Sequence, residues 1–343
     1  MRVFITGGAG WVGSEVIRQL VKGGHDVTAL VRSVPGVEKV TNSGARALEG
    51  NLTDTGILRA AAEEADAVIH CAFNHAFSGL DMMGMIAVRL SGIAGFARIS
   101  PAARLDLNAI EALLEGIAAS TSPTKALVST SGIACIAPGR VGTEDLPASP
   151  RASAAWRVAS ERLALSGPSS GVRTAVVRLP PSVHGVGDKG FVRMYVDLAR
   201  KKGVSAWVGA GEGRWSAVHR DDAAALYCLA VEGLANGAVP GGTVLHGVAD
   251  EGIPFRDIAT TIGERLGLGP ASPAPRGHFP MFLRLVAAQD APATSDITRK
   301  LTGWRPTRPG LLDDVRSGAY GSLAASPSDG GAGVPRSSVA NSL

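Results

Sequence analysis

The strongest constraint on this chain sits at its start, where Val3-Phe4-Ile5-Thr6 runs into glycines at positions 7, 10 and 13. Residues 2–6 form a short apolar run with β-branched members, the pattern of a buried strand. From Ser14 the period becomes helical, with Val16, Ile17, Leu20 and Val21 on one face. A strand, a glycine turn and a helix in that order give the motif a physical meaning. Gly7 permits the tight turn, Gly10 lets a diphosphate approach the backbone, and Gly13 lets the helix pack close to the strand. Free N–H groups of Trp11, Val12 and their neighbours at the helix start then face the anion, which the helix dipole also favours. The turn implies a bound dinucleotide.

Composition narrows the class. The 343 residues suffice for one large domain or two closely joined ones. A net charge of only +4, with scattered basic residues, argues against nucleic acid. The three cysteines, Cys71, Cys135 and Cys228, are odd in number and lack metal-ligand spacing, so reduced thiols, no metal and a cytoplasmic protein are expected. A first strand beginning at residue 2 leaves no room for a signal peptide. The longest apolar stretch, Met82 to Phe96, is broken by Arg89 and three glycines, so no membrane span is expected.

The second strand, Asp26 to Val31, carries the cofactor choice at its end. An acid there would hold the ribose 2′-OH of NAD(H), whereas an Arg accommodates the 2′-phosphate of NADP(H). Here Arg32 and Ser33 follow Val31 with no acid, so NADP(H) is expected over NAD(H). Ala45 to Leu48 reads as the third strand. Asn51 and Leu52 at its end, polar then apolar, suit the adenine edge, and Asp54 suits the cap of a helix from Thr55 to Ala65. The fourth strand, Ala67 to Cys71, ends in Cys71-Ala72-Phe73 beside the nicotinamide half, with His75 just beyond. Residues 76–105 read either as a soft apolar lid over the substrate or as a packed irregular helix. Asp106 to Ala119 is a clear helix, and Lys125 to Ser129 the fifth strand.

Several blocks in order now resemble the extended short-chain dehydrogenase/reductases of the NAD-dependent epimerase/dehydratase superfamily. They are Thr6-Gly7-Gly8-Ala9-Gly10-Trp11-Val12-Gly13, Val68-Ile69-His70-Cys71-Ala72, Ser129-Thr130-Ser131-Gly132, Arg178 to Gly185, Val218 to Asp222 and Thr302 to Pro306. The resemblance covers residues 1 to about 317. It implies a Rossmann-type α/β doubly wound parallel sheet with a small C-terminal substrate-binding domain. The nucleotide domain is expected over 1–178 and 203–248, the substrate domain over 179–202 and 249–317, and a disordered tail over 318–343. It also implies a small-molecule substrate, cofactor contacts at Ser129, Pro180, Ser182 and Val183, and a homodimer pairing through helices near 106–119 and 155–166.

The catalytic pattern departs from the family. There a Ser binds the substrate carbonyl, and a Tyr-x-x-Ser-Lys helix supplies a proton donor and the Lys that tunes it. Ser131 fits the Ser. The helix segment reads Arg157-Val158-Ala159-Ser160-Glu161, with Arg for Tyr and Glu for Lys. An Arg can stabilise an oxyanion but stays protonated to about pH 12, so it is no ordinary acid. Four residues apart, Arg157 and Glu161 can equally pair with each other. The catalytic candidates are therefore Ser131, Arg157 and His184, the last in the loop over the nicotinamide. Tyr195, Arg214 and Trp215 are candidates for facing substrate, and His219 reads as structural beside Asp221, the expected cap of a helix from Ala223.

Three functions fit this pattern. The leading one is an NADP(H)-dependent oxidoreductase reducing a carbonyl or activated double bond on a small, fairly apolar metabolite. The second is a redox-neutral epimerase, dehydratase or cyclase. The third is a non-catalytic NADP(H)-sensing regulator.

Overall fold

The structure is a computed structural model that describes residues 1–73 and 101–321. The chain alternates β1 (Arg2–Thr6), α1 (Gly13–Lys22), β2 (Asp26–Val31), α2 (Val34–Thr41), β3 (Arg46–Glu49), α3 (Thr55–Glu63) and β4 (Ala67–His70). It continues through α4 (Pro101–Ala119), β5 (Ala126–Gly132), α5 (Val158–Leu165) and β6 (Arg173–Leu179). Then come β7 (Ser182–His184), α6 (Phe191–Lys202), β8 (Ala206–Trp207), β9 (Arg214–His219), α7 (Arg220–Asn236) and β10 (Thr243–His246). The last elements are β11 (Asp250–Pro254), α8 (Phe255–Arg265), β12 (Ser272–Pro273), α9 (Met281–Ala287), α10 (Asp296–Thr302) and α11 (Leu311–Ser317).

Seven parallel strands make the main sheet, in the order β10-β6-β5-β4-β1-β2-β3. Parallel strands buried on both faces must be apolar throughout, and every residue of β4 is buried. One face packs Ile5, Ile69 and Val128 against α1 and α7. The other packs Phe4, Val68 and Leu127 against α3 and α4. The order reverses between β1 and β4, which opens a ligand crevice beyond the strand ends there. This is the doubly wound arrangement the glycine turn implies.

The smaller part is built on a three-stranded sheet, β11-β9-β7, and a two-stranded one, β12-β8. Its core gathers Tyr195, Trp215, Phe255, Ile258, Ile262 and Leu311. Strand β8 and the Trp215–Ala217 part of β9 pack with the smaller part, while Val218 at the end of β9 joins α7 and β10 on the core of the main sheet.

Several boundaries move for local reasons. Helix α2 went unread in the sequence. Strand β5 runs to Gly132, so Ser131 lies within a strand, paired in register with Arg178 of β6. Helix α4 begins at Pro101; residues 74–100, including His75 and most of the apolar lid segment, lie outside the described residues. Asp54 does not cap α3: its carboxylate accepts the Asn51 N–H at 2.8 Å. At α7 the cap is His219 itself, whose Nδ1 accepts the Asp221 N–H at 3.1 Å. The expected tail starts too early, because Tyr320 is 3% exposed and hydrogen-bonded; residues 322–343 are outside the described residues. Among the described residues no helix is long and apolar enough to cross a membrane, and no group of three or more metal-type ligands gathers.

Candidate functional site

The glycine turn is crowded to the point where only glycine fits. A Cβ on Gly7, at φ +75°, would lie 2.6 Å from Ala72 N, and one on Gly13 would lie 2.3 Å from Gly7 O. Gly10 closes the turn by donating to Gly7 O at 2.8 Å. The tip of β4 thus presses on the turn, bringing Cys71 and Ala72 beside Gly7, with Phe73 next in the chain and all three half-buried. Trp11 donates from Nε1 to Val183 O at 2.8 Å, which ties the turn to β7 across the crevice. Arg220 stacks over the Trp11 ring, 4.5 Å from its centroid. In the first turn of α1, Ser14 donates to Gly10 O at 3.3 Å and Glu15 to Val12 O at 3.0 Å, whereas the N–H groups of Trp11, Val12 and Gly13 have no partner among the described residues and so can meet a diphosphate.

On the adenosine side, Arg32 is exposed at the end of β2. Lys39, from α2, was missed in the sequence: its Nζ donates to Ala9 O of the glycine turn at 2.9 Å. Burial, then the Arg220 and Lys189 charges, hold its ammonium below the ordinary lysine value. Its place seven residues past Arg32 on the next helix was the available signal. Asn51 is exposed with Leu52 half-buried at the end of β3, and the Asn51 Oδ1 accepts the Thr53 N–H at 2.8 Å. Ser129, Pro180 and Ser182 are buried, while Val183 is half-buried.

At the ends of β4, β5 and β6 the sheet carries a buried polar row. Ser131 Oγ donates to Glu161 Oε2 at 2.5 Å. Arg178 clamps the same carboxylate, with Nη2 to Oε1 at 2.5 Å and Nε to Oε2 at 3.2 Å. Its Nη1 donates to Leu146 O at 2.8 Å. All three side chains are at most 3% exposed. Arg157 and Glu161 therefore do not pair, because Arg178 reaches the carboxylate first. Ser131 has one hydrogen and gives it to Glu161, so towards any further group it can only accept. Nearby Cys135 gives its thiol hydrogen to Ala154 O at 3.6 Å.

Arg157 ends a single 3-10 turn as the N-cap of α5, with its side chain 12% exposed. Its Nη2 donates to Thr130 O at 2.8 Å and lies 3.9 Å from Asp106 Oδ2. The guanidinium covers the Phe73 ring at 4.2 Å, a cation–π contact at the edge of the crevice. Its Nε is buried with no partner among the described residues. Asp106 also accepts His70 Nε2 at 3.2 Å, while His70 Nδ1 meets Thr6 Oγ1 at 2.7 Å. Burial opposes charge on Asp106, but Arg157 and His70 together hold its carboxyl below the ordinary aspartate range. Arg157 is thus a positioned cation able to stabilise an oxyanion.

Other candidates lie elsewhere. His184 is fully buried, with Nδ1 2.7 Å from Asp314 Oδ2 and its ring edge-on to His219. Tyr195 is buried and donates to Leu283 O, and Trp215 is 0% exposed in the smaller core. Arg214 forks onto Asp290 at 2.9 Å. Neither His184 nor Tyr195 offers a hydrogen to the crevice. Burial pushes the Cys71 and Cys228 thiols up to about 12, which leaves them un-ionised near neutral pH.

The sheet order and glycine turn define a dinucleotide-binding α/β protein, and comparison with known proteins names its family. The NAD dependent epimerase/dehydratase family model matches residues 3–244, and the chain belongs to that family. An uncharacterized protein of Schizosaccharomyces pombe is 38% identical over 93% of this chain and 100% of its own length. A 4-hydroxy-2-methyl-3-oxo-4-farnesyl-3,4-dihydroquinoline-1-oxide ketoreductase of Stigmatella aurantiaca is 28% identical over 78% of this chain and 74% of its own. A UDP-galactose 4-epimerase structure superposes with a TM-score of 0.68 at 22% identity, covering 93% of this chain and 98% of that one.

Proposed function

We propose that the chain is an NADP(H)-dependent oxidoreductase that reduces a carbonyl or activated double bond on a small, fairly apolar metabolite. The observation that carries the cofactor preference is Lys39 anchored on Ala9 O, on the helix that follows Arg32, with no acid ending β2. Two cations on this one segment suit a phosphate monoester better than a free ribose hydroxyl. The ketoreductase relative supports hydride chemistry on a carbonyl.

In this reading Arg157 stabilises the oxygen on which negative charge develops as hydride reaches carbon. Glu161 and Arg178 hold Ser131 as an acceptor, so the proton comes from water or from the substrate itself. The same locked hydrogen favours one rival, a redox-neutral reaction on a hydroxyl-bearing substrate that Ser131 accepts from. The test is NADPH consumption against a panel of ketones, aldehydes and enones. Turnover lost in Arg157→Ala, with NADPH still bound, is expected; no consumption across the panel, with cofactor bound, contradicts reduction.

A further inference from the structure

The glycine turn is braced from the far end of the described chain. Loop 185–190, between β7 and α6, lies against it: a Cβ on Gly187 would sit 3.6 Å from the Trp11 ring. Segment 311–321 grips that loop at both ends. At its start, Asp314 of α11 meets His184 at 2.7 Å. At its far side, Tyr320 donates from its hydroxyl to Asp188 Oδ2 at 2.8 Å, while Asp188 Oδ1 accepts the Gly190 N–H at 2.6 Å.

The segment is itself held. Asp250 accepts the Leu311 N–H at 2.9 Å and so caps α11. Gly318 turns the chain at φ +94°, and Arg200 donates to Tyr320 O at 3.1 Å. Asp188 and Tyr320 are 6% and 3% exposed, so this clasp is sealed from water. Among the described residues, neither side chain is hydrogen-bonded to the polar row at β5 and β6.

We propose that Tyr320 and Asp188 are positioning residues for the dinucleotide: the segment 311–321 is a strap that holds loop 185–190 against Trp11. With the strap seated, Trp11 keeps its bond to Val183 and the wall beside the diphosphate is preformed. Released, the loop must be ordered by the cofactor, and that cost appears as weaker binding. The inference rests on the glycine turn binding a dinucleotide and is independent of which ribose form is preferred.

The test uses the full chain with Tyr320→Phe and, separately, Asp188→Asn. NADPH binding is followed by fluorescence, 2′,5′-ADP binding by calorimetry, and unfolding without nucleotide by calorimetric scan. Both variants should bind NADPH about tenfold more weakly, the effect of one hydrogen bond to a charged group. Binding of 2′,5′-ADP, which carries the 2′-phosphate and one 5′-phosphate but lacks the nicotinamide half, should stay within twofold of wild type, and the unfolding scan should keep one cooperative transition, lowered only by the one buried hydrogen bond removed. Wild-type NADPH affinity in both variants overturns the proposal, and so does an equal loss for 2′,5′-ADP, which marks general loosening. A wild type that binds NADH as tightly as NADPH refutes the cofactor preference alone; the strap is then judged by the same loss measured with NADH.

Discussion

Glu161 stands where the family's helix carries Lys, yet its partner is Arg178, one strand over, which clamps both carboxylate oxygens. The register that sets Ser131 opposite Arg178 brings the serine hydroxyl onto the same carboxylate. The Glu at the family's Lys position is therefore balanced by Arg178, while Arg157 at the Tyr position belongs to a separate set with Thr130, Asp106 and Phe73.

Breaking that ion pair leaves a buried charge alone. Glu161→Gln should cost about 3–5 kcal/mol of stability in denaturant unfolding, whereas the apolar double variant Glu161→Leu/Arg178→Met should recover most of it. A single variant as stable as wild type would contradict the buried pair.

Rebuilding the family motif should fail for the same reason. Arg157→Tyr with Glu161→Lys sets an ammonium beside the Arg178 guanidinium, where both side chains at 161 and 178 are 1% exposed. The double variant should be at least as destabilised as Glu161→Gln and gain no turnover. A stable, more active protein would show that the polar row tolerates the ordinary pair.

The row also carries a pH signature. Burial, then the Arg178 charge, pushes His246 down to about 4, against a bond to Thr294 O. The folded state keeps it neutral while the unfolded chain takes up a proton below about pH 6.5. Stability is therefore lost as pH falls from about 6.5 to about 4, by up to roughly 3 kcal/mol from this group. His219 is also held low, so the readout is the difference between wild type and His246→Gln across that window. Parallel pH–stability curves would remove His246 as the source.

At the glycine turn, Gly13→Ala drives a methyl to 2.3 Å from Gly7 O, and the backbone must shift. A cost of about 1–3 kcal/mol and loss of nucleotide binding are expected. Gly24→Ala is the control: at φ +80° with nothing within 4 Å, it should lose about 1 kcal/mol by backbone strain alone and keep binding.

The frame of β1, glycine turn, α1 and β2 was legible in the sequence because its signals are local, whereas α2 and its Lys39 were not. Strand β2 came out at Asp26–Val31, and the glycine spacing located the turn. The chemistry was not, because it depends on cross-strand register: Arg178 is distant in sequence from Ser131, and only the β5–β6 pairing joins them. His184 looked available because its partner, Asp314, arrives from an element 130 residues away. Tyr320 was hidden by the polar, small-residue composition around it, which outweighs one aromatic in any window average.

The central claim is the cofactor, and the most direct measurement is titration of the purified protein with NADPH and NADH. Tighter binding of NADPH is expected, falling ten- to a hundredfold in Arg32→Ala and in Lys39→Ala as each removes a charge-assisted phosphate contact, with NADH binding unchanged in Arg32→Ala. Equal affinity for the two nucleotides, or NADPH binding indifferent to both substitutions, would contradict it.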